Sequence, residues 1–256
     1  MLRISNLTKR FGAVVAVNDI TLDIPDGQMI AVIGRSGAGK STMLRMINRL
    51  AEPSGGSIYY NGTDIVSLRG PALREWRSQA AMIFQGFNLA PRLDVLTNVL
   101  VGASTRVPQY RRLFKLYSDN ERMQAATVLD DLGLLDKAMQ RAERLSGGQQ
   151  QRVAIARALL QEPRLVLADE PIASLDPHNA ATVMDALKRI NTERGISVIC
   201  NLHSIEIARQ YADRVIGLRD GTLVFDAPLH QLTDTAIANI YGGDVPVESE
   251  PAMAAA

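Results

Sequence analysis

Five apolar residues, Met29-Ile30-Ala31-Val32-Ile33, run without a break into Gly34-Arg35-Ser36-Gly37-Ala38-Gly39-Lys40-Ser41-Thr42. No other feature of the chain limits its fold as much. A short continuous apolar run reads as a strand covered on both faces. After the loop, Met43, Leu44, Met46, Ile47 and Leu50 recur at helical spacing, which predicts a helix reaching Leu50. Strand, glycine-rich turn and helix in that order bring backbone N–H groups and the positive end of a helix to one point. Gly34-x4-Gly39-Lys40-Ser41 is therefore read as a cradle for the phosphates of a nucleoside triphosphate, ATP or a close analogue. Lys40 is placed to neutralise the β- and γ-phosphates and Ser41 to ligate Mg²⁺.

The remaining segments fit an α/β sheet. Ile20, Leu22 and Ile24 alternate with polar residues ahead of the Pro25-Asp26-Gly27 turn, and Ser57–Gly62 reads as a strand ending in a hairpin. From about Phe87 to Leu160 the pattern is helical. Leu165–Ala168 and Ile196–Cys200 are short strands flanking a helix through Val183, Leu187 and Ile190, the order of a parallel sheet with right-handed crossovers. Arg214–Phe225 reads as a closing hairpin turning at Asp220-Gly221, and the tail from Asp244 is expected to be disordered.

Composition removes several classes of function. With 28 Lys+Arg against 27 Asp+Glu the net charge is +1, which argues against a protein built to grip nucleic acid. The lone Cys200 can form no disulfide within the chain. No stretch reaches the ~18 apolar residues of a membrane span, so work at a membrane would pass through a partner.

Two further segments carry chemistry. Leu165-Val166-Leu167-Ala168 ends in Asp169-Glu170-Pro171, which puts two carboxylates at the edge of the sheet where ligands bind. Asp169 is the candidate metal holder and Glu170 the candidate general base toward water. Leu145-Ser146-Gly147-Gly148-Gln149-Gln150-Gln151-Arg152 opens another helix. Ser146 there reads as an N-cap, and the two glycines leave amides open to an anion. An ordinary capped helix accounts for the same residues. A second anion cradle makes sense if it closes over ATP held by another subunit.

GRSGAGKST, FQGFNL, LSGGQQQR, VLADEP, SLDP and His203 stand in this chain in that order. Over residues 1 to 230 the sequence resembles the ATP-binding subunits of ABC transporters. The resemblance implies an α/β P-loop cassette with a RecA-like core and an N-terminal antiparallel β subdomain, about 1–86 and 161–230. It also implies an inserted helical subdomain, about 87–160, and a C-terminal extension over 231–256. It further implies that Phe11 stacks on adenine with Val17 on the other side, and that Gln85 touches Mg²⁺ and the water site. Asp176 would lie in the loop crossing a dimer interface, and His203 would contact the γ-phosphate. The partners implied are a second ATPase subunit, transmembrane permease subunits docking near residues 87–105, and through them a periplasmic or extracellular solute-binding protein. The location implied is the cytoplasmic face of the inner membrane.

The stretches Phe84–Leu100 and Ala168–Pro177 are similar to those of phosphonate import ATP-binding subunits, as is the basic, aromatic segment Val107–Lys115. Gly86 stands where that subfamily commonly has a second glutamine, and Ser204 where glutamine is frequent. The competing readings are an importer ATPase for another solute such as an amino acid, a soluble ABC ATPase, and a P-loop kinase. The chain has no long coiled coil or second cassette for the soluble ATPase, and the kinase leaves Leu145–Arg152 unexplained.

Overall fold

The computed structural model describes residues 1–105, 107, 108, 110, 111, 114 and 116–243. The tail from Asp244 and part of the Val107–Lys115 segment lie outside the described residues.

Among the described residues, ten strands form two sheets. In the first, β1 (Leu2–Phe11), β2 (Val14–Ile24), β4 (Gly55–Tyr60) and β5 (Thr63–Asp64) lie in the order β2-β1-β4-β5, all antiparallel. The second contains β3 (Met29–Ile33), β6 (Ala80–Ile83), β7 (Leu165–Asp169), β8 (Ser197–Asn201), β9 (Arg214–Arg219) and β10 (Thr222–Pro228). Its order is β10-β9-β3-β8-β7-β6, parallel except for the closing β9–β10 hairpin. No helix among the described residues is long and apolar enough to cross a membrane.

Strands β3, β6, β7 and β8 of the second sheet are buried on both faces, and their two-residue period assigns alternate side chains to different cores. Met29, Ala31 and Ile33 face one way with Ala81, Ile83, Val166, Ala168, Val198, Cys200 and Val215. They pack against α3 (Val95–Leu100), α4 (Asp119–Asp131), α5 (Gly147–Leu159), α6 (Pro177–Arg194), α7 (Ile205–Tyr211) and α8 (Asp234–Tyr241). Ile30 and Val32 face the other way with Ala80, Leu165, Leu167, Ile199, Ile216 and Leu218. They meet α1 (Lys40–Ile47), α2 (Gly70–Gln79) and the inner face of the first sheet. The helices between Phe87 and Leu160 share one continuous apolar cluster with the sheet.

The first helix ends sooner than its apolar spacing predicts. It stops at Ile47, and Leu50 is half exposed. Arg49 takes a left-handed conformation (φ 60°), and the Leu50 N–H returns to the Arg45 carbonyl at 2.8 Å. This closes the helix as a glycine usually would. The Arg49 side chain is buried, donating to the Ile65 carbonyl and in two bonds of 2.7 and 2.9 Å to Glu52. These contacts hold an arginine where helix continuation would have carried its charge outward. Strand β6, an edge strand of only four residues directly after a helix, has no counterpart among the strands expected from sequence.

Candidate functional site

Parallel pairing brings the ends of four strands to one edge. Val32 is level with Asn201, Asn201 with Asp169, and Ala168 with Ile83. The phosphate loop, Asp169-Glu170, Leu202-His203 and Gln85 therefore all leave the sheet on the same side.

The loop needs its glycines for two reasons. Gly34, Gly37 and Gly39 have φ of 146°, 81° and 98°, a region that L side chains rarely adopt. Space is the second reason. A Cβ on Gly34 would collide with the Leu218 carbonyl oxygen, and one on Gly39 would stand 2.5 Å from the Ala16 carbonyl oxygen. The loop is wedged between β2 and the β9–β10 turn, where Gly221 donates to the Ala38 carbonyl at 3.2 Å. Gly39 occupies the N-cap of α1 and offers no side-chain cap, so the amides at that end stay available to an anion. Arg35, Ser36 and Ala38 complete the turn, and Thr42 lies in the first turn of α1.

Lys40 is almost fully buried, its ammonium donating to the Gly34 carbonyl at 2.7 Å and the Arg35 carbonyl at 3.1 Å. Burial lowers its pKa, while the charges of Glu170 and Asp169 act in the opposite direction. Ser41 donates its hydroxyl to Asp169 Oδ1 at 2.6 Å. The same carboxylate accepts Asn201 Nδ2 at 2.8 Å and Arg45 Nη2 at 3.3 Å. Sequence reasoning missed both Asn201 and Arg45. Asn201 had a signal, as a polar residue closing an apolar strand at the ligand edge. The oxygens of Ser41 and Asp169 converge as hard donors, which suits Mg²⁺, an ion that takes one or two protein oxygens and completes its shell with phosphate and water. No cluster of three acidic, His or Cys ligands occurs among the described residues.

Glu170 follows at φ 52°, a strained conformation for a residue with a side chain, of the kind that collects at active sites. Its side chain is 16% exposed and meets His203 Nε2 at 2.7 Å. The structure thus brings the candidate base and the candidate γ-phosphate contact within ion-pair distance of each other. Beside them lies a cavity of about 350 Å³ bounded by Leu175, Asn201, Ser204 and Glu206.

The base-contact residues separate. Phe11 is 54% exposed on the first sheet, with Lys9 Nζ 4.7 Å from its ring centre. Val17 is completely buried, with Cγ2 3.3 Å from where a Gly39 Cβ would stand. Its contact is with the underside of the loop, where the resemblance had implied a nucleotide base. Gln85 is exposed two residues beyond β6. The Phe87 and Asn88 carbonyls that follow it are held by Arg157 of α5, so the loop after Gln85 is tied to the helix that begins at Ser146.

Ser146 caps α5 in a complete capping box. Its hydroxyl accepts the Gln149 N–H at 3.4 Å, and Gln149 Oε1 accepts the Ser146 N–H at 3.0 Å. Neither Gly147 nor Gly148 has a positive φ. Gly148 is a glycine because a Cβ there would lie 2.5 Å from Asn179 Cγ. Asn179 in turn donates its amide to Asp176 Oδ1 at 3.0 Å and its Nδ2 to Oδ2 at 2.6 Å. These bonds hold the Asp176 carboxyl below its ordinary pKa. Ser146–Gly148 and Asp176–Asn179 therefore form one unit.

The family model for the ABC transporter matches residues 17–173. The chain is 56% identical over 241 residues to the phosphonates import ATP-binding protein PhnC of Agrobacterium fabrum, covering 94% of this chain and 84% of that protein. It is 56% identical over 244 residues to PhnC of Ruegeria pomeroyi, covering 95% and 89%. Among solved structures it matches the ATP-binding cassette MJ0796 in a dimeric post-hydrolysis state bound to ADP and Pi, with a TM-score of 0.79 and 34% identity over 90% of this chain and 99% of that one. The ADP conformation of the cassette MJ1267 matches with a TM-score of 0.83 and 26% identity over 95% and 99%. With the phosphate loop, the acidic strand end and the capped signature turn built as described, the chain belongs to the ATP-binding subunits of ABC transporters and is an ABC-type ATPase.

Proposed function

We propose that this chain energises the import of phosphonate or a related phosphorus oxyanion. The observation that carries the substrate is its 56% identity, over nearly its whole length, to proteins named for phosphonate import. It works as a homodimer at the cytoplasmic face of the inner membrane, bound to permease subunits that receive solute from a binding protein on the far side. The dimer is supported by the dimeric state of the MJ0796 cassette. Residues 1–86 and 161–230 form the catalytic lobe, 87–160 the helical lobe that meets the permease, and 231–256 an extension.

Two ATP molecules lie between the Gly34–Thr42 loop of one subunit and Ser146–Gln149 of the other, with Asp176 at the crossing. Phe11 stacks on adenine. Lys40 and the loop amides take the β- and γ-phosphate charge. Mg²⁺, held by Ser41 and Asp169 with Gln85 at its water, supplies further positive charge to the same oxygens when bound. Glu170 orients the attacking water and accepts its proton as the γ-phosphorus–oxygen bond to ADP breaks. His203, already 2.7 Å from the Glu170 carboxylate, holds the base in line and reaches the γ-phosphate. Charge placement in a closed site does most of the work, because the transition state is loose.

Glu170→Gln should lower hydrolysis by about 10²–10⁴-fold while ATP still binds and the dimer stays closed. Stopped-turnover assays with size-exclusion chromatography check this, and wild-type turnover removes Glu170 from the role. For the substrate, a strain lacking the gene should fail to grow on phosphonate as sole phosphorus source and grow normally on phosphate, with growth restored by the gene in trans. Normal growth on phosphonate, with a defect on an amino acid or another solute, overturns the substrate.

A further inference from the structure

Asp169 takes hydrogen bonds from three side chains, and the three are not equal. Ser41 and Asn201 both reach Oδ1, at 2.6 and 2.8 Å, while Arg45 reaches Oδ2 at 3.3 Å. In the mechanism above, Ser41 is itself a holder of Mg²⁺. The Arg45 side chain is half exposed and arrives at the end of a long stem with many rotamers. Asn201 differs from both. It is the last residue of β8, is wholly buried, and stands level with Asp169 in the β7–β8 pairing, with apolar Val32 on its other side. Register alone therefore sets its short side chain beside the carboxylate. An ionised carboxylate only accepts, so the amide turns its NH₂ to Asp169 and its own oxygen away. That oxygen is buried and finds no hydrogen-bond partner among the described residues.

We propose that Asn201 is a positioning residue for the metal: its amide fixes the Asp169 side chain so that the carboxylate stays beside Ser41, fully charged, for Mg²⁺. A buried oxygen without a partner costs folding free energy. The residues just before it on β8, Val198 and Ile199, are apolar and fully buried, and an apolar side chain at 201 would avoid that cost. Stability alone therefore does not account for an asparagine here, whereas the bond to Asp169 does. The neutrality of the amide matters as well. A lysine or arginine fixed at this place would hold the carboxylate by cancelling the charge that attracts the cation. An amide holds it by geometry and leaves the charge in place. Groups that orient a metal-binding carboxylate in this way are commonly worth about 10–100-fold in metal affinity.

The proposal rests on Asp169 being a holder of Mg²⁺, and the test keeps the two ideas apart. Mn²⁺ stands in for Mg²⁺, its free form being read by electron paramagnetic resonance. It is titrated into the purified full-length subunit, with the protein in excess over ADP. Wild type, Asn201→Leu and Asp169→Asn are compared, and the ADP affinity of each is measured separately in EDTA. Leucine is close to asparagine in size and cannot donate. Asn201→Leu should raise the Kd for Mn²⁺ by about 10-fold or more, while its ADP affinity in EDTA stays that of wild type. An asparagine with a merely structural role would move both affinities together. An unchanged Mn²⁺ affinity, or an equal loss of ADP affinity in EDTA, overturns the proposal and leaves Asp169 in its role. Wild-type Mn²⁺ binding by Asp169→Asn overturns the role of Asp169 and the proposal with it. If Asn201→Leu does not fold, Asn201→Ala is read by the same two titrations and the same criteria.

Discussion

Two of the glycine-bearing turns that open helices, the phosphate loop and the turn at Ser146, use glycine for opposite ends. In the phosphate loop, Gly34, Gly37 and Gly39 have positive φ, and α1 starts with no side chain on its amides. In the signature turn, Gly147 and Gly148 have ordinary dihedrals, α5 starts inside a capping box, and Gly148 is small so that Asn179 can pack over it. One turn is shaped to receive an anion by itself. The other satisfies its own amides and is fitted to its neighbour, as suits a surface completed by another subunit. Glycine content alone does not distinguish them; dihedral angle and capping do.

The comparison can be broken at Gly39 and Gly148. Gly39→Ala adds a methyl group 2.5 Å from a backbone carbonyl at φ 98°, and no side-chain change can relieve that. Misplacing the loop by an ångström should lower turnover by about 10²-fold or more, with ATP affinity falling alongside. Steady-state kinetics and analogue titration measure both. Gly148→Ala meets a side chain instead. It should cost about 1–3 kcal/mol of stability and leave ATP binding by the isolated subunit intact. Truncating the obstacle, in the Gly148→Ala/Asn179→Ala pair, should recover most of the loss in thermal unfolding. If the pair is no better than the single variant, Gly148 is not there for packing.

A smaller effect sharpens the capping difference. Ser146→Ala removes the Ser146 half of the box and should cost about 1 kcal/mol, or roughly 2–4 °C in melting temperature. Gly39 has no side-chain cap to lose. The smallest effect separates the turns by charge. Lys40 has a lowered pKa from burial, so it gives up its proton at a pH below the ordinary 10.5 of lysine. The protonated form binds phosphate, so kcat/KM for ATP should be level at neutral pH and fall as pH rises toward 10.5, earlier than an exposed lysine would give. Lys40→Arg should move that fall out of the measurable range. An unchanged alkaline limb in the arginine variant excludes Lys40 as its source.

Much of this site could be read from the order of residues. An apolar run entering Gly34-x4-Gly39-Lys40-Ser41 fixes strand, turn and helix together, and short strands before Asp169 and His203 place them on the same edge. Other features depend on contacts between distant segments. Nothing in the residues around Val17, expected on the other side of adenine from Phe11, says that it is buried under the phosphate loop. The early end of α1 depends on Ile65 and Glu52 accepting Arg49, and β6 is too short and too alanine-rich to stand out from the helix before it. The nearness of Glu170 and His203 follows from strand order, but their 2.7 Å contact and the left-handed backbone of Glu170 do not.

The central sheet is a party wall. Each of its strands gives every other side chain to a different room, so Ile30 and Met29, neighbours in the chain, belong to separate cores. A slip of one residue in the pairing of β3 would exchange the contents of both rooms at once. Neither side can be emptied or rebuilt alone. The layer that holds the antiparallel sheet and the layer that holds the Ser146 capping box should therefore melt in one step, as a single cooperative unit, even though they lie on opposite sides of the wall.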